Sequence, residues 1–355
     1  MMAMMAPRIA LAWLVVTAQM ALSAPVRAES APTDARRVVS KTHGSMGTVV
    51  NITAFTDDAR RAEAAFDAVF REFERIDALM TTWTPQSEVS RLNAAAGNRK
   101  PVKVSPELIG ILEKAVETSK ASEGAFDVTV GAFSGVWKFD EDKDGSIPSP
   151  ALVAKRKRLV GWRDLIIDAK RQTARLRRKG QRITLGGIAK GYAVDRGAAI
   201  LRQAGLRDFI LQAGGDMYVA GRKGERRWRV GIRDPRSTAR EDFFAYAEVE
   251  DHTFSTSGDY ERYVVKDGKR YHHILDPKSG YPADACRSVT VMAKDALTAD
   301  RWSKAFFILG PTKGLALAGN LPDIEVVIVD KNNQVHVSKG LAGKLIMKHP
   351  PADGI

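Results

Sequence analysis

The chain holds one cysteine, Cys286, in 355 residues. A single thiol excludes an internal disulfide framework and any zinc site built from several cysteines of one chain. It also suits an oxidising compartment, where stray thiols are a liability. Histidine is scarce, at six, and no H-E-x-x-H pair occurs, which argues against a zinc hydrolase. No long Pro/Gly/Ser linker and no internal repeat divides the chain. No apolar run reaches the roughly 20 residues that a membrane-spanning helix needs. With 44% hydrophobic and 27% charged residues, the composition is that of a soluble globular protein. Disordered, fibrous and polytopic membrane classes are excluded.

Negative charge is also in short supply. Asp plus Glu number 42 against 55 Lys plus Arg, a net charge of +13. The surplus points to an anionic partner: nucleic acid, a membrane surface or a phosphate-bearing small molecule. Its densest part is Lys155, Arg156, Lys157 and Arg158, followed by Arg175, Arg177, Arg178, Lys179 and Arg182. No aromatic residue interleaves Arg175 to Arg182, so base stacking is not suggested and nucleic acid is set aside. The tract reads as a solvated face or as a surface drawn to anionic lipid.

Residues 1–28 have the form of a secretory signal. Arg8 precedes the apolar run Ile9 to Leu22, and Val26-Arg27-Ala28 offers small residues for cleavage after Ala28. No cysteine follows the run, so lipid anchoring is not expected, and the expected location is the periplasm. Residues 29–37 read as a flexible lead-in, and 38–355 as one continuous α+β domain. Met46 to Phe55 reads as a strand. Over Asp57 to Met80, Ala62, Phe66, Val69, Phe73, Ile76 and Met80 form one helical stripe. Ser105-Pro106 opens a second helix that Gly124 can end. Arg182 to Gly205 reads as a short strand, a double glycine and a helix. Strands follow over Asp208–Val219 and Trp228–Ile232, then hairpins over Phe243–Tyr281 with Asp267-Gly268 as a turn. A strand over Ser288–Ala293, a helix over Ala296–Leu309, and a pair over Ile324–Asp330 and Gln334–Ser338 complete the chain.

Four segments carry candidate chemistry. Leu185-Gly186-Gly187-Ile188-Ala189-Lys190-Gly191-Tyr192 puts glycines and a lysine at a helix start, where backbone N–H groups can meet phosphate. It matches neither common nucleotide-binding pattern, so a plain tight turn stays open. Ser255-Thr256-Ser257-Gly258-Asp259-Tyr260 groups three hydroxyls able to donate to phosphate, or is an ordinary hairpin turn. In Tyr271-His272-His273-Ile274-Leu275-Asp276-Pro277, a His three residues before Asp276 can be a general base with an orienting carboxylate, or a structural histidine. Asp300 and Lys304 share a helix face, as a hard-cation site or as a surface ion pair.

Taken in order, these segments resemble the ApbE family of FAD:protein FMN transferases. The resemblance also rests on Ser45-Met46-Gly47-Thr48, Thr82-Trp83 and Gly124-Ala125-Phe126-Asp127-Val128-Thr129, and runs from about Val38 to Leu345. It implies a T-fold-like architecture with mixed and antiparallel sheets and packed helices. It implies FAD as substrate, Mg²⁺, and transfer of FMN to a Ser or Thr of an acceptor protein, such as a membrane redox subunit, with AMP leaving. Met46 and Trp83 match positions packing on the flavin or adenine; Ala125, Phe126 and Asp127 match the segment lining the FAD site. Lys190 matches a lysine beside the pyrophosphate, Thr256 and Ser257 a polar turn near the dinucleotide, and His273 the base that activates the acceptor hydroxyl. Asp300 and the Gly187 carbonyl match metal ligands.

Two residues depart from the family pattern. Thr184 stands where Asp is usual, at a cofactor-binding position, and Lys304 stands where a small hydroxyl residue, often Thr, helps hold metal. A protonated lysine cannot ligate Mg²⁺. Three outcomes are open: the Lys304 ammonium sits in the metal's place, Mg²⁺ binds with Lys304 turned away, or transfer is weakened. The alternatives to the transferase are thus a non-catalytic periplasmic flavin-binding protein and a Mg²⁺-dependent FAD hydrolase giving FMN and AMP.

Overall fold

The computed structural model describes residues 35–139, 142–239 and 242–354. The expected signal segment and most of the lead-in lie outside them. In chain order come β1 (Arg37–Ser45), β2 (Thr48–Thr56), α1 (Ala59–Met80), α2 (Glu88–Ala94), β3 (Val102–Lys103) and α3 (Pro106–Ala121). Then follow α4 (Pro150–Lys157), β4 (Leu165–Asp168), β5 (Thr173–Leu176), α5 (Ala189–Gln203), β6 (Phe209–Ala213) and β7 (Asp216–Ala220). The chain continues through β8 (Trp228–Arg233), β9 (Phe243–Val249), β10 (His252–Gly258), β11 (Tyr263–Lys266) and β12 (Lys269–His272). It closes with β13 (Cys286–Ala293), α6 (Ala296–Ala318), β14 (Glu325–Asp330), β15 (Val335–Val337) and β16 (Leu345–Met347).

The frame is an eight-stranded sheet in the order β1-β2-β6-β7-β10-β13-β14-β15, with every neighbouring pair antiparallel. Helices α1, α5 and α6 pack together and against it. The small sheet β16-β9-β8 buries Trp228, Val230, Ala247 and Val249 with Val219 and Phe254 of the large sheet. Two layers around one sheet are a stable α+β solution, because each apolar face is covered. Among the described residues, no helix is long and apolar enough to cross a membrane.

The helices form where the sequence supplies both a stripe and a cap. Asp58 accepts from the Arg61 N–H to start α1, and the expected stripe from Ala62 to Met80 is buried. Ser105 caps α3 at the Leu108 N–H, with Pro106 in the first turn. Asp295 caps α6 at the Thr298 N–H. The first part of this helix ends at Leu309 as expected: Gly310, with φ 75°, breaks it, and a second helical stretch begins at Pro311. The strand expected at Arg182 is absent: residues 182–185 run as irregular chain into α5. β1, on the other hand, occupies Arg37–Ser45, and the sheet therefore begins within the expected lead-in.

α5 sits between α1, α6 and the sheet, and its glycines permit the approach. A Cβ on Gly191 would lie 2.2 Å from the Ala296 carbonyl oxygen and 2.6 Å from the Asp300 Cβ. These are positions that no helix backbone can yield without moving apart. Gly191→Ala should therefore destabilise the fold by about 2 kcal/mol or more, as overpacking does. Urea denaturation checks this; an unchanged midpoint would contradict the tight α5–α6 contact.

Candidate functional site

Polar groups from four elements converge where α5 begins: the first residue of β7, β10, α5 itself and the first half of α6. Two buried carboxylates form the floor. Asp216 takes the Lys190 ammonium at 3.1 Å, and Asp300 takes the Lys304 ammonium. Asp300 also accepts the Gly191 N–H at 2.9 Å. The acids are 2% and 0% exposed, whereas the Lys190 and Lys304 side chains keep 19% and 16%. The site thus presents positive charge outward and hides the negative charge behind it. Burial works against the Lys190 charge, but Asp216 and Asp300 outweigh it and hold this ammonium above the usual lysine range. Burial alone would raise Asp300, yet the Lys304 and Lys190 charges hold it below the usual carboxylate range.

Hydroxyls connect the floor to the sheet. Ser255 donates to Asp216 at 2.5 Å and meets the Ser303 hydroxyl at 3.2 Å, and Ser303 meets Ser257 at 2.8 Å. Side chains alternate along a strand, so Ser255 and Ser257 face α6 while Thr256 faces away. Thr256 instead pairs with the Thr290 hydroxyl at 2.9 Å on the neighbouring strand. The expected pair of dinucleotide contacts is therefore split, and only Ser257 belongs to this cluster.

His273 follows the β11–β12 hairpin. Its Nδ1 lies 3.3 Å from the Arg262 carbonyl oxygen, and its N–H donates to the same oxygen at 3.1 Å. Burial pushes the imidazole down to about 3, and the charges of Arg262, His272 and Lys190 add to the effect. His273 is therefore a neutral base within electrostatic reach of Lys190 and Arg262. Arg262 also donates to the Gly47 carbonyl at 3.3 Å, which ties His273 to the turn carrying Met46. Met46 is partly buried there with φ 51°.

Asp276 does not orient His273. Its carboxylate accepts the N–H groups of Lys278 and Ser279, at 2.9 and 3.1 Å, and so closes its own turn. Asp127 is likewise occupied: it accepts from the Thr129 N–H and hydroxyl and from the Trp162 N–H, and is buried as the cap of a short helix over Val128–Phe133. These bonds make it a structural cap. Ala125 and Phe126 are buried, and the Phe126 ring closes on Gly187, 3.4 Å from where a Cβ would stand. Thr184 accepts a long 3.4 Å bond from the Gly186 N–H, within the loop entering α5. Trp83, at 65%, is the most exposed large apolar side chain among the described residues, an open aromatic plane just beyond α1. Sequence reasoning missed Asp216, Arg262 and Ser303. Only Asp216 had a local signal: a carboxylate directly after Gly214-Gly215 and opening the apolar strand Met217–Ala220.

The metal position implied by the family resemblance can be tested on Asp300. One of its oxygens receives the Gly191 N–H and the other the Lys304 ammonium. The Lys304 stem passes Gly187, with Cγ 3.6 Å from a Cβ placed there. A divalent ion 4 Å from that ammonium would be repelled by about 8 kcal/mol at an effective dielectric of 20. The residues present do not fit Mg²⁺ at this position. Among the described residues, one cluster of three metal-capable side chains occurs, Asp234, Asp242 and His349, and none of them belongs to this site.

Comparisons with known proteins agree with this arrangement of elements. A model of the ApbE family matches residues 46–328. An FAD:protein FMN transferase of Klebsiella pneumoniae is 33% identical over 303 residues, covering 85% of this chain and 92% of that protein. One from Treponema pallidum is 30% identical, covering 87% and 89%. Among solved structures, the ApbE protein of Thermotoga maritima superposes with a TM-score of 0.79 at 30% identity, covering 87% of this chain and 99% of the other. The flavin transferase ApbE of Vibrio cholerae gives 0.77 at 27% identity, with the same coverage.

The Lys190–Asp216 pair can be tested without a ligand. Asp216→Ala leaves a largely buried ammonium without its nearest partner and should cost about 3 kcal/mol. Adding Lys190→Met removes the stranded charge and should recover part of that loss. Urea denaturation of the single and double variants checks the coupling; strictly additive losses would contradict it.

Proposed function

Because this chain belongs to the ApbE family, we propose that it is an FAD:protein FMN transferase, moving FMN from FAD to a target protein and releasing AMP. The observation that carries this reading is the pair of outward-facing ammoniums, Lys190 and Lys304, with the neutral base His273 within electrostatic reach of Lys190. FAD is the substrate, and its pyrophosphate is the anion that such a pair suits. The surface is basic as a whole, but this site accounts for only part of the excess.

The acceptor we assign is a Ser or Thr hydroxyl. Such a hydroxyl is a weak nucleophile at neutral pH and needs a base. The acceptor oxygen forms a bond to the FMN-side phosphorus. The bond from that phosphorus to the bridging oxygen breaks, and its electron pair leaves with AMP. The hydroxyl proton passes to the His273 imidazole. Lys190 and Lys304 offset the charge that gathers on the phosphate oxygens and the leaving group. Asp216, Ser255, Ser303 and Ser257 hold that arrangement from behind. The exposed Trp83 supplies an aromatic plane for a ring system.

The segment at residues 1–28 supports export to the periplasm, and a membrane redox subunit is an acceptor of fitting location. The consecutive Lys155, Arg156 and Lys157 at the end of α4 support contact with an anionic membrane surface.

His273→Ala should lower FMN transfer at least 100-fold, the scale of general-base catalysis, while FAD binding stays within a few-fold. Mass spectrometry of an acceptor peptide reads transfer, and flavin fluorescence reads binding. Retained transfer would remove His273 from the mechanism. With His273 neutral down to about pH 3, kcat/KM should stay level from pH 7 to pH 5. A fall centred near 6.5 would mean an ordinary exposed imidazole.

A further inference from the structure

Asp300 is fully buried and has no oxygen free of a donor: one takes the Gly191 N–H and the other the Lys304 ammonium. Its neighbour across the site, Lys190, is held in the same manner by Asp216. The two ion pairs are built alike, with the acid behind and the ammonium toward the opening. Lys304 is set by its own helix, since Asp300 lies four residues earlier on one face. Its stem runs along the Gly187 backbone, where no side chain stands in its way. The position that a divalent ion would need, against Asp300 and the Gly187 carbonyl, is thus the path of a lysine.

We propose that Lys304 is the resident cation of this site, binding the FAD pyrophosphate directly, and that FMN transfer by this chain is independent of divalent metal. The proposal rests on the FAD:protein FMN transferase reading. Lys304 donates hydrogen bonds and charge to phosphate oxygens and takes no part in moving the acceptor proton. An ammonium supplies one positive charge where a divalent ion supplies two. Lys190 on the adjacent pair provides the second, so that two fixed monovalent charges meet the diphosphate.

The test uses the full-length protein exported and purified without added metal. FMN transfer to an acceptor peptide, AMP release and FAD affinity are each measured in excess EDTA and in Mg²⁺. The expected result is transfer and FAD affinity within two-fold in the two conditions, and no Mg²⁺ binding by calorimetry in the presence of FAD. Lys304→Thr shortens the side chain and opens Asp300. It should weaken FAD binding about ten-fold in EDTA and regain it with Mg²⁺, reversing the metal dependence. Lys304→Met keeps the bulk without the charge and should stay weak in both conditions.

Wild-type transfer that stops in EDTA and returns with Mg²⁺ would overturn the proposal, as would stoichiometric Mg²⁺ binding beside FAD. Absence of transfer in every condition would instead sink the transferase reading. In that case FAD affinity still decides the role of Lys304: metal-dependent FAD binding by the wild type overturns it. The wild-type measurements stand even if a variant fails to fold.

Discussion

The closeness of α5 to α6 is the constraint on which the site depends. Gly191 lets the first turn of α5 lie against the start of α6. That contact places the Gly191 N–H on the Asp300 carboxylate at 2.9 Å, and Asp195 of α5 in turn accepts the Ala296 and Leu297 N–H groups at 2.7 and 2.9 Å. The two helices therefore cap each other through carboxylates, at a place where free N–H groups already favour negative charge. Once Asp300 is buried and fixed in this way, a positive partner on its open side follows, because a lone buried carboxylate is costly. Further along, Arg301 reaches Glu117 and Thr118 of α3 and braces the same helix from outside.

The electrostatics of the site follow from that packing. Two acids and two lysines add to no net charge, yet their depths differ, and depth decides what a ligand meets. An anion at the opening encounters the ammoniums first, and the acids act through them by holding each charge in place. The Ser255 hydroxyl satisfies the other oxygen of Asp216, and Ser303 and Ser257 continue the network without adding charge. His273 stands outside this lattice and is fixed through backbone, by the Arg262 carbonyl rather than by a carboxylate. A base held this way stays neutral with its lone pair free, while the same surroundings weaken its pull on a proton.

Much of this was legible in the sequence, and what was not has identifiable causes. The stripe of α1 and the caps of α3 and α6 are local patterns, and the structure follows them. β1 escaped because it is a sheet edge with most of its residues exposed, so its sequence carries no apolar alternation. The convergence of Lys190, Asp300 and His273 came from their order along a family pattern, since no spacing along one strand or helix joins them. Asp216 and Arg262 act across the fold, from the start of β7 and from the approach to β11, and only tertiary structure reveals their partners. Asp276 and Asp127 have nearer uses that the sequence does not separate from a site role: acids at turns and helix starts satisfy nearby N–H groups, and both do so here. Thr256 and Ser257 show how a two-residue period separates neighbours that look alike in sequence.

An ammonium, held by Asp300, stands where a divalent ion would otherwise meet the pyrophosphate. The most direct measurement is a crystal structure of the FAD complex grown with Mn²⁺, with anomalous scattering recorded at the manganese edge. The account predicts no anomalous peak beside Asp300 and the Lys304 ammonium lying between that carboxylate and the phosphates. A manganese peak bound to Asp300, with Lys304 swung away, would contradict it.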